Sequence, residues 1–299
     1  MLFAWLLDRQ EALGTRGDLL EVGVFMGKSA IFLGRHLRPG ERYTVCDLFE
    51  GDAPDDANQA ESRTSYATLT RRAFETNYLA FHDDLPRILQ GPSSLVPAEV
   101  PAGSCRFAHI DGSHLYDHVY GDIGAARDVL LPDGVVVLDD FRSEHTPGVS
   151  VAAWEAVLNR GLRPICLSTQ KLYGTWGDPE PVQEELLAMA RGRDDCHLSV
   201  QGAAGHRLIR LKATRETQAP PFPLSRYGQS PPETPEPARP QAQTPVPVLV
   251  PVTRQPAPPA APRRRPRGRA RRLAVDLLPP LLTRALVNAR AARRPPARS

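Results

Sequence analysis

The sequence predicts an α/β fold: a doubly wound, mostly parallel sheet of seven strands, followed by a C-terminal tail that takes no part in it. Three observations lead there. Short apolar runs alternate with amphipathic stretches, the pattern of strands connected through helices. Val135-Val136-Val137-Leu138 is an uninterrupted, largely β-branched run of the kind found in a central strand covered on both faces. Residues 18–37 read as a strand, a tight glycine turn and a helix, the unit that opens such sheets.

Taken in order, residues 2–13 form an amphipathic helix closed by Gly14. The first strand, 18–22, runs into Gly23 and Gly27, and a helix over 29–37 ends before Pro39-Gly40. A second strand, 42–47, stops at Asp47. Residues 50–65 are polar and rich in Asp, Ala and Ser, which predicts an exposed loop, and 66–79 reads as a helix. Strands are expected at 86–91 and 105–111. The next helix carries Val119, Ile123, Ala126, Val129 and Leu130 on one face. Pro132-Asp133-Gly134 turns the chain into a strand at 135–140, and a helix at 149–159 follows. Strands at 164–168 and 206–212, with an acidic helix at 180–191 between them, close one edge as an antiparallel pair.

The composition divides the chain into a domain at 1–212, a Pro-rich linker at 213–262 and an Arg-rich tail at 263–299. From about Thr217 the linker is too poor in large apolar residues to offset ordering entropy, so it is expected to be disordered. The tail holds twelve Arg and one Asp, a net of +11; against a total of +3, residues 1–262 carry −8. A basic surface is therefore not expected on the folded domain. The tail suits nucleic acid, an anionic membrane surface or an acidic partner, including the domain's own acidic face, although it lacks the interleaved aromatics that stack on bases. A solvated tail with only weak polyanion affinity is the plainer reading. Cys46, Cys105, Cys166 and Cys196 have no CxxC spacing and read as buried small hydrophobes in a reducing compartment. With no basic leader before residue 8 and no apolar stretch of about 18 residues, the expected location is the cytoplasm.

The glycine turn decides the ligand. A phosphate loop needs G-x-x-x-x-G-K-[ST]; Gly27-Lys28-Ser29 supplies its end, but Gly23 stands one residue too close and Val22 occupies the required glycine's place. A dinucleotide fingerprint needs G-x-G-x-x-G, which the turn lacks, although Asp47 at the end of the second strand keeps that reading open. Glu21 at the first strand's end would also repel a pyrophosphate.

Glu21-Val22-Gly23-Val24-Phe25-Met26-Gly27 resembles the E/D-x-G-x-x-x-G motif of class I S-adenosylmethionine-dependent methyltransferases. Two later segments extend the likeness: Ile110-Asp111-Gly112-Ser113-His114-Leu115-Tyr116, and Leu131-Pro132-Asp133-Gly134 leading to Asp139-Asp140. They are similar to segments of the subfamily that contains the macrocin-type sugar O-methyltransferases. The resemblance covers about residues 1–212 and implies a Rossmann-like methyltransferase fold. It further implies S-adenosylmethionine bound by Glu21, Gly23, Gly27 and Asp47; Ser93 and Ser94, placed after the third strand, are candidates to contact the adenine ring, with an ordinary Gly-Pro-Ser-Ser turn as the plainer reading. The expected activity is O-methylation of a small hydroxylated metabolite, with a natural-product sugar as the leading acceptor.

In an open α/β sheet, ligands bind outside the carboxyl ends of the strands, where Asp111, Asp139 and Asp140 fall. Converging carboxylates need a counter-charge, and the subfamily implies Mg2+ held by these three acids. The plainer alternative gives Asp139 and Asp140 backbone-capping roles. The subfamily also often has an acid where this chain has Ser113; His114 is the nearest titratable replacement, so Asp111 and His114 are the expected catalytic residues. Arg142 and His145 follow Asp140 and are candidates to face substrate, whereas Lys171 and Tyr173 read as structural or rim positions. A second class of function is a methyltransferase-like binding or regulatory protein tethered to a polyanion by the tail.

Overall fold

The computed structural model describes residues 1–227. Its nine strands form one sheet in the order β3-β2-β1-β4-β5-β7-β6-β9-β8. The strands are β1 (Asp18–Val22), β2 (Tyr43–Asp47), β3 (Arg87–Gln90), β4 (Cys105–Ile110), β5 (Leu130–Leu138), β6 (Arg163–Leu167), β7 (Leu172–Thr175), β8 (Cys196–Ala203) and β9 (His206–Ala213). The helices are α1 (Leu2–Ala12), α2 (Lys28–Gly34), α3 (Asp56–Ser65), α4 (Arg71–Leu79), α5 (Val96–Glu99), α6 (Tyr116–Val129), α7 (Pro147–Asn159) and α8 (Glu180–Ala190). β1 pairs in parallel with β2 on one side and β4 on the other, so the chain reverses its winding there. β5 continues the parallel set, and β7 enters antiparallel between β5 and β6.

Period-two alternation assigns the strand residues to two cores. Leu19, Phe107, Val135 and Val137 join the layer under α1, α2, α4 and α8, while Leu20, Val22, Ala108, Ile110, Val136 and Leu138 face α6 and α7. Glu21 and His109 occupy alternating positions on the first of these faces and are fully buried.

The doubly wound, mostly parallel sheet agrees with the sequence, but its strand count is nine rather than seven. β7 is four residues long and follows β6 after a tight turn, too short to separate from its neighbour by pattern. β8 has seven exposed residues out of eight and so lacks an apolar signal. The expected loop at 50–65 contains α3. Its polar sequence hides a capped helix: the Asp55 carboxylate accepts from the Asn58 amide at 2.9 Å. Pro132-Asp133-Gly134 forms an irregularity inside β5, where Cys105 pairs with Leu130 and Phe107 already pairs with Val135.

All four cysteines are buried and free. Among the described residues, no helix is long and apolar enough to cross a membrane. Residues 214–227 continue beyond β9 without helix or strand, yet Phe222 packs on Phe32 and Phe81, and the Arg35 guanidinium donates to the Pro221 carbonyl. The remainder of the expected linker and the whole Arg-rich tail lie outside the described residues.

Candidate active site

Strand register places the site. Cys46, Val22, Ile110, Leu138 and Leu172 are successive partners across β2, β1, β4, β5 and β7. One residue further out, the carboxyl edge therefore presents Asp47, Gly23, Asp111, Asp139 and Lys171 in a row. Backbone bonds continue the ladder into it: Gly23 N–H donates to Cys46 at 2.8 Å, Asp111 to Val22 at 2.7 Å and Asp139 to Ile110 at 2.9 Å. With strands about 4.8 Å apart, neighbours in this row are one ligand group from each other.

The half built on β1 and β2 is shaped by backbone. Gly23 has φ +79°, and a Cβ there would overlap the carbonyl of Asp111. Gly27, φ +90°, caps α2 with Phe74 3.2 Å from where its Cβ would stand. Asp47 ties the turn together: one oxygen accepts from Val24 N–H at 2.7 Å and Phe25 N–H at 3.2 Å, the other from Phe49 N–H at 2.8 Å. Burial raises the Asp47 pKa, and these three N–H groups oppose the rise.

Beside the turn lies a cleft of about 700 Å³ whose lining includes Gly23, Asp47, Ser93, Asp111, Glu61 and Asp122. Of the residues expected to hold the cofactor, Gly23, Asp47 and Ser93 thus reach the cleft. Gly27 and Glu21 are not part of its lining. Glu21 accepts from the Tyr43 hydroxyl and lies 2.8 Å from His109 Nδ1. Burial pushes the Asp122 carboxyl up to about 6, with Ser93 and His118 pulling the other way.

The half built on β4, β5 and β7 is shaped by side chains. His109 Nε2 stands 3.4 Å from Asp139 Oδ2 and 4.0 Å from Asp111 Oδ2. Lys171 Nζ contacts Asp139 Oδ2 and lies 3.5 Å from His109 Nε2. Burial raises the Asp111 pKa, and the neighbouring His109 and Lys171 restrain it.

Asp140 leaves this group. With φ +50° its carboxylate turns to Ser143 Oγ at 2.6 Å and His114 Nε2 at 3.2 Å. His114 Nδ1 in turn faces Glu61 at 3.0 Å, and Glu61 also accepts from Ser113 Oγ at 2.7 Å and the His114 amide at 2.8 Å. The bond to Glu61 raises the His114 pKa, helped by Asp140 and opposed by burial. Burial alone would raise Glu61, but hydrogen bonds from His114 and Ser113 bring it down to about 2. Both ring nitrogens of His114 thus face carboxylates, an arrangement that favours the imidazolium form. His145 stacks edge-on at 6.3 Å from it.

Glu61, His109, Asp122 and Lys171 were not singled out as site residues by the sequence. Glu61 sits on the helix that reads as a loop, and His109 inside an apolar strand. Asp122 had a usable signal: it is a carboxylate three residues after Val119 and four before Ala126, on the buried stripe of α6.

The strand order, the glycine turn at the winding reversal and the acidic carboxyl edge define a class: a doubly wound α/β domain with a cleft outside the carboxyl ends of β1 and β2. Residues 20–141 match the family model described as a methyltransferase domain. That span holds all three sequence motifs, so residues 20–141 carry a methyltransferase domain. No curated protein matches the sequence. Among solved structures, similarity is found to the O-methyltransferase NovP, at 20% identity over 58% of this chain and 77% of that chain, with a TM-score of 0.48. CalS11, a TDP-rhamnose 3′-O-methyltransferase of calicheamicin biosynthesis, is 20% identical over 59% and 79%, TM-score 0.37. TomG, an O-methyltransferase from Streptomyces achromogenes in complex with SAM, is 17% identical over 69% and 75%, TM-score 0.29.

Proposed function

We propose that this chain transfers a methyl group from S-adenosylmethionine to a hydroxyl oxygen of a small metabolite, with a natural-product sugar as the leading acceptor. The observation that carries the reading is the continuous row from Asp47 through Gly23 to Asp111 and Asp139. It supports the reading because the glycine turn and the Asp111 carboxylate then lie on the adjacent strands β1 and β4.

S-adenosylmethionine supplies a sulfonium methyl open to in-line displacement. Asp47 and Ser93 are the polar groups of the cleft that suit ribose and adenine, and Gly23 lets the amino-acid portion approach bare backbone. Asp111, with its raised pKa, takes the proton of the attacking hydroxyl; such a base contributes roughly 10² to 10⁴ in rate. His114, the other residue expected to act on protons, lies between the Glu61 and Asp140 carboxylates, which favour its protonated form, so it suits donation or charge balance better than acceptance.

The expectation of Mg2+ on Asp111, Asp139 and Asp140 meets a geometry that does not suit it. Asp111 and Asp139 do lie with His109 in a group whose ligand atoms are within 4.8 Å of one another. Asp140, however, is engaged by His114 and Ser143, and Asp139 by the Lys171 ammonium. No step is therefore routed through a metal. The four free, buried thiols support a reducing, cytoplasmic setting.

The test is transfer of radiolabel from S-adenosylmethionine to a panel of sugars, nucleotide sugars and catechols by the full chain and by Asp111→Asn. Label on a hydroxyl acceptor, lost in the variant, is expected. Label appearing only on amines or thiols would overturn the reading.

A further inference from the structure

Four ionisable groups, His109, Asp111, Asp139 and Lys171, meet at the ends of β4, β5 and β7, and the proposed reaction leaves Lys171 without a task. Its position is built rather than incidental. Antiparallel pairing of Leu138 with Leu172 forces Asp139 and Lys171 opposite each other at the edge. The turn that delivers Lys171 is pinned at both backbone atoms: Ser168 N–H donates to the Lys171 carbonyl at 2.9 Å, and the Lys171 N–H donates to Ser168 Oγ at 2.9 Å. The Lys171 side chain is only 25% exposed and Asp139 14%, and the Phe3 ring lies 5.2 Å from the ammonium.

The neighbours of that ammonium engage two of its three donors. One goes to Asp139 Oδ2. A second reaches His109 Nε2 at 3.5 Å, consistent with the tautomer in which His109 Nδ1–H donates to Glu21. In that tautomer the Nε2 lone pair faces Asp139 Oδ2 at 3.4 Å, a repulsive contact that the adjoining ammonium relieves. The same positive charge offsets Asp111 and Glu21. A tethered ammonium thus stands among the donor atoms that a divalent ion would need, whereas Mg2+ demands near-octahedral oxygen coordination and gives up its water reluctantly.

We propose that Lys171 is the resident cation of the acidic edge: it positions Asp111 and Asp139 in place of a divalent metal, and methyl transfer by this chain is metal-independent. The inference builds on the methyltransferase reading of the same edge. Lys171 is a positioning residue in this account, acting through the two carboxylates.

The experiment is Mn2+ titration of the full chain followed by electron paramagnetic resonance, with S-adenosylmethionine binding measured calorimetrically on the same samples. The wild-type chain is expected to bind S-adenosylmethionine but no Mn2+ at millimolar concentration. Lys171→Met, once its retained S-adenosylmethionine affinity shows it folded, is expected to gain an Mn2+ site that disappears again in Lys171→Met/Asp139→Asn. A wild-type Mn2+ site abolished by Asp139→Asn would overturn the proposal, as would a folded Lys171→Met that gains none. The wild-type arm decides even if the variant fails to fold. Failure to bind S-adenosylmethionine would instead strike the function proposed above, so the two outcomes are separable.

Discussion

The two ends of this sheet both bury charge, but they balance it differently. At the amino end, Arg106 at the start of β4 is 1% exposed and meets Glu41 through both carboxylate oxygens, at 3.1 and 2.9 Å. Gln10 and the His36 carbonyl take its remaining donors, and Arg38 and Gly17 complete Glu41. Burial would raise the Glu41 pKa, yet the two guanidiniums hold it below the usual carboxylate value. At the carboxyl end, Asp47, Glu21, Asp111 and Asp139 outnumber their cations, and two of the four line an open cleft. A buried network with every group satisfied locks the fold, while one left short of counter-charge and open to solvent is available for chemistry.

The largest effect that would break this contrast concerns the lock. Arg106→Met should leave Glu41 buried with one partner fewer and cost about 3–5 kcal/mol of stability in urea unfolding, with S-adenosylmethionine affinity unchanged in the folded protein. Loss of affinity in a fully folded sample would show that the ends are not separate. Asp111→Asn should do the converse: transfer slows by on the order of 10²-fold or more, while the midpoint of unfolding moves little. Stability falling with activity would make Asp111 structural. Asp47→Asn should weaken S-adenosylmethionine binding roughly tenfold, about 1.4 kcal/mol, since the turn loses a charged acceptor; calorimetry at fixed salt reads this directly.

The smallest effect is one of pH. His114 has a raised pKa, so its contribution to stability is complete below its ordinary 6.5 and fades as pH rises through the raised value. Glu61, lowered to about 2, contributes fully above its ordinary 4.5 and loses that contribution as pH falls toward about 2. The stability difference between wild type and His114→Asn should therefore be greatest between pH 4.5 and 6.5 and should shrink on the alkaline side. Thermal unfolding across pH checks it, and a difference that grows with pH would remove the Glu61–His114 pair from the account.

How far the sequence reached follows the same division. The backbone-shaped half of the site was legible because glycines at fixed spacing and an acid at a strand end are local signals: Gly23, Asp47 and Ser93 all reach the cleft. The side-chain half depends on which strands become neighbours. Asp111 and Asp139 were readable as strand-end acids, but nothing local says that β7 enters antiparallel beside β5 and brings Lys171 to Asp139. Asp140 looked equivalent to Asp139 in sequence, and a positive φ turned its carboxylate to His114 instead. Glu61 was hidden for another reason: α3 is held by its cap and its contacts with Ser113 and His114 rather than by an apolar stripe.

Every role proposed for the carboxyl edge depends on the glycine turn binding the methyl donor. Calorimetric titration of the full chain with S-adenosylmethionine, beside Gly23→Ala, tests it. We expect saturable binding by the wild type and none by the variant, whose added Cβ would collide with the Asp111 carbonyl and distort the turn. Equal affinity in a folded Gly23→Ala, or no binding by the wild type, would contradict it.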